Sequence, residues 1–140
     1  MATLERAIAI AATAHTSQID KTGAPYILHP LRMMMRLDTT EARIVAILHD
    51  VVEDTEWTLE GLASEGFSDS VLKALECVTK REGEEYRAFV QRSASDPIAR
   101  RVKLMDLEDN MNILRLAQLS DIDLERLRKY HQAWLTLRGQ

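Results

Sequence analysis

The sequence predicts an all-α protein, and three observations carry that prediction. No stretch alternates apolar and polar residues at a period of two, as a half-buried strand would. Apolar residues recur instead at spacings of three and four, which places them on one face of a helix. Most of the predicted helices begin at a Ser, Thr or Asp able to cap the free N–H groups of a first turn, as at Ser68 and at Asp96-Pro97. A chain of 140 residues suits one domain, 1–140, with one sizeable core. The pattern divides it into about seven or eight helices.

The first helix is predicted from Leu4 to Gln18, capped by Thr3, with Ala7, Ile8, Ala11, Ala12 and His15 on one face. Ile19 to Tyr26 carries Gly23 and Pro25 and is predicted as a loop. His29-Pro30 follows. Proline disfavours helical dihedrals in the residue before it, so His29 is expected at a loop-to-helix junction, with the helix itself running from Leu31 to Leu37. Met33, Met34 and Met35 read as core filling. Thr39 or Thr40 caps a helix containing the apolar run Ile44-Val45-Ala46-Ile47-Leu48 and ending in His49-Asp50-Val51-Val52-Glu53-Asp54-Thr55. Thr58 starts a short helix that stops near Gly66, and Ser68 caps another from Asp69 to about Thr79. After the loop Lys80-Arg81-Glu82-Gly83, helices are predicted from Glu84 to Arg92, from Asp96-Pro97 to about Leu116, and from Ser120 or Asp121 to near Arg138. On the last, Leu124, Leu127, Tyr130, His131 and Trp134 form a stripe that would close the core or make a dimer face.

Composition narrows the function classes. The chain is 46% hydrophobic and 29% charged, as soluble globular proteins are. Its 18 basic and 22 acidic residues give a net charge of −4, without the polycationic footprint of a nucleic-acid binder. The single cysteine, Cys77, has no internal partner and fits a reducing compartment. No apolar run approaches the ~18 residues of a membrane span, and no signal peptide is recognisable, so a cytoplasmic setting is expected.

The chemistry is concentrated at residues 49–55. In a helix, positions three and four apart share a face, which sets His49 over Glu53 and Asp50 over Glu53 and Asp54. One carboxylate here would simply face solvent. Three beside an imidazole, behind an apolar run, require compensation by a cation. Two further ligands are sought elsewhere. His29 is presented from its junction, and on the long helix Asp106 shares a face with Asn110, while Glu108 and Asp109 point more outward. Leu104, Leu107, Met111 and Leu114 form that helix's apolar stripe. Two imidazoles and two carboxylates suit manganese, iron, cobalt or zinc, whereas calcium and magnesium prefer more oxygens. Glu53 and Asp54, one turn on, are placed to orient or deprotonate water, or to hold a second cation. Arg100, Arg101 and Lys103 on the long helix, and Lys80 and Arg81 in the loop, are candidate phosphate contacts against a background of ordinary solvated basic residues.

His29…His49-Asp50…Asp106 resembles the metal-binding constellation of the HD-domain phosphohydrolases. The flanking segments His15-Thr16-Ser17-Gln18, Gly23-Ala24-Pro25-Tyr26-Ile27-Leu28-His29-Pro30, Leu48-His49-Asp50-Val51-Val52-Glu53-Asp54-Thr55, Val78-Thr79-Lys80 and Lys103-Leu104-Met105-Asp106 narrow the resemblance. They are similar to the (p)ppGpp hydrolase domain of the RelA/SpoT family and the stand-alone small alarmone hydrolases, over roughly residues 5–115. The resemblance implies a manganese-dependent enzyme that removes the 3′-pyrophosphate of (p)ppGpp. His29, His49, Asp50 and Asp106 would bind the metal, Glu53 and Asp54 would activate water, and Lys21 and Asn110 would contact the nucleotide. No synthetase segment follows, so alarmone synthesis is not expected.

The chain departs from the family pattern at specific places. Asp20 stands where the family usually has an Arg against the guanine base, a change worth about 1–2 kcal/mol of binding. Where the family's helix usually reads Ala-Asp-Arg-Leu-His-Asn-Met-Arg-Thr, this chain has Met105-Asp106-Leu107-Glu108-Asp109-Asn110-Met111-Asn112-Ile113. Two alternatives therefore stand beside ppGpp hydrolysis: the same chemistry on another nucleotide or phosphate ester, and a non-catalytic nucleotide-binding module, against which the intact Glu53-Asp54 pair argues.

Overall fold

The structure, a computed structural model, describes residues 1–139. Among the described residues it contains eight helices of six residues or more, one short α-helical turn and one 3₁₀ turn, with no strand. Its pivot is α3 (Thr40–Leu48; α1 and α2 precede it at Leu4–Ala14 and Leu28–Met35). Every residue from Ile44 to Leu48 is buried, as is Ala42, and a helix apolar on nearly all sides must be surrounded. It is packed against α1, α2, α6 (Asp69–Val78) and α8 (Pro97–Asn110). Its start is set by Thr39, whose hydroxyl accepts from the Ala42 N–H at 3.2 Å.

Several boundaries differ from the sequence expectation, each for a local reason. α1 ends at Ala14, not Gln18: His15 closes it by donating its backbone N–H to Ala11, and Ser17 takes a left-handed φ of 70°. The loop then turns back on itself through one antiparallel bridge between Ile19 and Pro25. Asp20 organises its tip, its Oδ1 accepting from the Thr22 N–H (2.8 Å), the Thr22 hydroxyl (2.6 Å) and the Ala24 N–H (3.1 Å). α2 begins at Leu28, so His29 is its second residue and Pro30 its third, rather than a junction and a first position. Proline is tolerated there because a first-turn N–H has no intrahelical acceptor. Of the methionines Met33 is fully buried, but Met35 is 75% exposed, so the run is only partly core.

The predicted continuous helix through 44–54 is broken. α3 stops at Leu48, and α4 (Val51–Asp54) is a separate turn that starts from Asp50, whose φ of −104° and ψ of 0° depart from helical values. α5 (Leu59–Ser64) is capped by Thr58 and α6 by Ser68, as expected. α7 spans Tyr86–Ala94, starting two residues later than expected. α8 ends at Asn110, six residues short of Leu116, and a 3₁₀ turn at Ile113–Arg115 follows, capped by the Asn112 side chain. α9 (Asp121–Arg138) starts at a capping box formed by Ser120 and Asp123.

α8 is buried on two sides. Ala99 and Val102 belong to the main core around α3, while Leu107 joins Val90, Ala94, Ala133 and Leu137 in a second cluster between α7, α8 and α9. Leu104 and Met111 flank that cluster, but Leu114, expected in the same stripe, is 90% exposed beyond the helix end. The buried residues of α9 are Ala133 and Leu137, with Tyr130 and Trp134 half-buried; Leu124 and His131, expected inward, are exposed. Among the described residues no helix is long and apolar enough to cross a membrane.

Asp96 is buried, and its Oδ1 accepts from the Ile98 and Ala99 N–H groups at 3.0 and 2.9 Å, fixing the start of α8. Asp96→Ala should therefore destabilise the protein by about 1–2 kcal/mol, read as a lower midpoint in a urea titration with an unchanged slope.

Candidate metal centre

α2, α3 and α8 meet where polar side chains interrupt the apolar packing. His29 comes from the first turn of α2, His49 from the residue that ends α3, and Asp106 from the middle of α8. All three are buried, and their ligand-capable atoms lie within 4.8 Å of one another. His29 Nε2 is 2.9 Å from Asp106 Oδ1 and His49 Nε2 is 3.5 Å from the same oxygen. Asp50, the fourth expected ligand, brings its Oδ2 to 3.0 Å from His49 Nε2. Asp50 also forms a second group of carboxylates with Glu53 and Asp54 from α4. The break between α3 and α4 produces this arrangement, since it turns Asp50 toward His49 while leaving Glu53 and Asp54 exposed at the cavity mouth.

His29, His49 and Asp106 are each held by the atom turned away from the others, and Asp50 by the oxygen that faces His49. His49 Nδ1 donates to the Ala46 carbonyl at 2.7 Å, so its Nε2 carries the lone pair. His29 Nδ1 donates to Asp109 Oδ2 at 2.6 Å. Lys103 Nζ donates to Asp106 Oδ2 at 2.9 Å, leaving Oδ1 toward the imidazoles, where Asn110 Nδ2 also reaches it at 3.1 Å. The Tyr26 hydroxyl donates to Asp50 Oδ2. The residues fit a divalent cation. His49 Nε2 is buried without a hydrogen-bond partner although two carboxylate oxygens lie close by, and a lone pair facing carboxylates is repulsive unless a cation stands between them. The separations agree: donors each about 2.1 Å from one ion at right angles lie about 3.0 Å apart.

The electrostatics reflect the same crowding. Burial, then Asp106, Asp54 and Glu53, push the Asp50 carboxyl well above the usual carboxylate range. Burial would also raise Asp106, but Lys103 and the hydrogen bond from His29 outweigh it and hold Asp106 well below that range. Lys103 is likewise raised despite its burial, because Asp106 opposes deprotonation. Burial alone would lower His29, yet Asp106 and Asp109 together raise it to about 9.

The eight residues expected at the site, Lys21, His29, His49, Asp50, Glu53, Asp54, Asp106 and Asn110, all line one cavity of about 580 Å³. The cation candidates divide. Lys80 and Lys103 line this cavity, but Arg101 pairs with Asp38 at 2.5 Å and Arg81 with Glu76 at 3.5 Å. Lys103 is buried and engaged with Asp106. Lys21 pairs with Asp123 at the start of α9.

Asp109 reverses the expectation of an outward side chain: it is 8% exposed and sits against His29 and Arg32. Glu108, half-buried, takes Arg36 and the Trp134 indole N–H. Arg32, Arg115, Tyr86, Arg126, Lys129 and Tyr130 also line the cavity and were not expected. Those from α9 carry no local sequence signal. Lys103, Asp106 and Asp109, however, recur at spacing three, a polar stripe that could have been recognised as an inward face of its own.

Comparison with known proteins identifies the family. Residues 7–118 match the family model described as "HD domain". The chain is 37% identical over 123 residues to the guanosine-3′,5′-bis(diphosphate) 3′-pyrophosphohydrolase of Aquifex aeolicus, covering 79% of this chain and 18% of that protein. It is 32% identical over 127 residues to the bifunctional (p)ppGpp synthase/hydrolase SpoT of Escherichia coli, again covering 79% of this chain and 18% of that protein. The chain thus spans less than a fifth of these relatives' lengths. A solved structure described as a metazoan ortholog of SpoT that hydrolyses ppGpp superposes with a TM-score of 0.82 at 23% identity, covering 99% of this chain and 87% of that one, which establishes the shared fold.

In the metal-free protein His29 keeps a second proton up to a pH of about 9, whereas ligation needs its Nε2 lone pair. Each ion bound below that pH displaces a proton, so affinity for a divalent transition metal should rise with pH toward 9, by up to about tenfold per unit for one proton. Calorimetric titrations in buffers of different ionisation enthalpy will show the released proton.

Proposed function

The chain belongs to the HD-domain family, and we propose that it is a manganese-dependent phosphohydrolase that removes the 3′-pyrophosphate of ppGpp or of a closely related nucleotide. The observation that carries this reading is the meeting of two groups in one cavity. Buried His29, His49 and Asp106 form one candidate cation group, and half-buried Asp50 joins it to Glu53 and Asp54, which are open to solvent. The relatives named for ppGpp hydrolysis support the choice of substrate class.

A divalent ion held by His29, His49, Asp50 and Asp106 supplies positive charge that polarises a phosphoryl oxygen and makes a water easier to deprotonate. The rest is the work of the chain. Glu53 is oriented by the Lys80 backbone N–H, which donates to its Oε1 at 2.8 Å. Either Glu53 or Asp54 accepts a proton as water attacks the phosphorus attached to the 3′-oxygen. The bond from that phosphorus to the 3′-oxygen breaks, pyrophosphate leaves, and the 3′-oxygen takes up a proton. Lys21, Lys80, Arg115, Arg126 and Lys129, from the loops and α9, face the same cavity and give an anionic substrate its counter-charge despite the chain's net negative charge. A free nucleotide substrate and a buried, unpaired Cys77 are consistent with a cytoplasmic setting.

One observation keeps a second substrate in view. Asp20 spends its Oδ1 on the loop backbone and Thr22, so residue 20 offers the base no stacking guanidinium. The same hydrolysis directed at another nucleotide or phosphate ester is the second reading.

Incubation of the manganese-loaded protein with a panel of nucleotides, with phosphate and pyrophosphate resolved, should release pyrophosphate from ppGpp. Untouched ppGpp alongside cleavage of another phosphoester would select the second reading. Glu53→Gln should lower kcat by about 10²-fold or more while metal content is retained, whereas Asp50→Ala should lose both metal and turnover. Retention of full metal occupancy by Asp50→Ala would remove Asp50 from the ligand set.

A further inference from the structure

We propose that Asp109 is a positioning residue for the metal ligand His29, held in that role by Arg32 and Arg115; the inference rests on the metal site proposed above. Asp109 lies three residues beyond Asp106 on α8, and the His29 ring spans the two carboxylates. Its Nε2 lies 2.9 Å from Asp106 Oδ1 and its Nδ1 lies 2.6 Å from Asp109 Oδ2. An imidazole that ligates a cation through Nε2 must carry its proton on Nδ1, and Asp109 is the acceptor that fixes it there. The other metal-site imidazole is fixed differently: His49 Nδ1 donates to a neutral backbone carbonyl. The centre therefore combines one imidazole backed by a carbonyl with one backed by a carboxylate, and the latter is the stronger electron donor.

Asp109 is not itself an available ligand. Arg32 grips both of its oxygens, Nε to Oδ1 at 2.8 Å and Nη2 to Oδ2 at 2.9 Å. Arg115 donates to the Asp109 carbonyl at 2.8 Å, with the same nitrogen 3.5 Å from Oδ2. The carboxylate thus faces the cation site only through His29, and its charge is balanced from behind by a fork that admits one orientation. Arg32 and Arg115 both line the cavity that contains Asp106 and Asn110.

The test is a calorimetric titration of Mn²⁺ into the metal-free full chain and its variants, with the folded fraction measured by circular dichroism. Asp109→Ala should weaken Mn²⁺ binding by about 10–100-fold. Asp109→Asn, which keeps an acceptor oxygen but not the charge, should fall between it and the wild type, and Asp109→Glu should recover part of the loss. Mn²⁺ affinity within twofold of the wild type in folded Asp109→Ala and Asp109→Asn would overturn the assignment. So would a loss that follows the folded fraction alone. These readouts use no nucleotide, so an error in substrate leaves them intact. A wild-type chain that takes up no Mn²⁺ would overturn the metal site, and this inference with it.

Discussion

Asp106 lies at the centre of this structure as a charge largely withdrawn from solvent. It is buried on α8, and its two oxygens are divided among partners from three helices. One oxygen takes Lys103; the other faces His29, His49 and Asn110. Removing a carboxylate from water is tolerable only when such partners are in place. Their arrival ties α2 and α3 to α8, so the spacing of the three helices and the geometry of the centre are one property. Lys103 obeys the same constraint from the other side, since its ammonium is buried against Asp106 and over the Phe89 ring at 4.7 Å.

What keeps these partners in register is apolar. The buried run Ile44–Leu48 fixes α3 among α1, α2, α6 and α8, and His49 emerges where that run ends. Because His49 closes α3 rather than continuing it, its Nδ1 can return to the Ala46 carbonyl while Nε2 points into the cavity. On α8, Ala99 and Val102 face the main core and Leu107 faces the second cluster, leaving Lys103, Asp106 and Asp109 on a polar strip directed at α2 and α3. Two hydrophobic contacts thus aim one hydrophilic face.

That division explains which parts were legible in the sequence. The helices were, because their periodicity and their caps at Thr39, Thr58, Ser68, Asp96 and Ser120 are local. The eight expected site residues reached one cavity because they came as motifs with distinctive spacing. The interruption between α3 and α4 was not legible, since Asp50 and Val51 are compatible with a continuous helix and the break goes with tertiary contacts of Asp50 to His49 and the Tyr26 hydroxyl. Nor was the inward turn of Asp109. The spacing on α8 predicts an apolar stripe and a face shared by Asp106 and Asn110, which turns Asp109 outward, whereas Lys103, Asp106 and Asp109 form the inward polar face. The contribution of α9 to the cavity is purely tertiary, resting on the packing of Ala133 and Leu137.

The same balance has a consequence for the free protein. Without a cation, Asp50 and Asp106 face one another across His49, and the structure relieves this by pushing the Asp50 carboxyl up and keeping a proton on His29. Both devices hold protons where an ion would otherwise supply the charge. An ion that displaces them binds the folded chain and not the dispersed ligands of the unfolded one, so its binding free energy adds to the stability of the fold. Three helices carry the candidate ligands, and the main core alone packs them together, the second cluster lying between α7, α8 and α9. α2 packs on α3 through the main core, where Met33 is fully buried. It contributes His29 from its first turn and exposes Met35 from its last, so its N-terminal end is fastened to α8 chiefly through the carboxylates of Asp106 and Asp109.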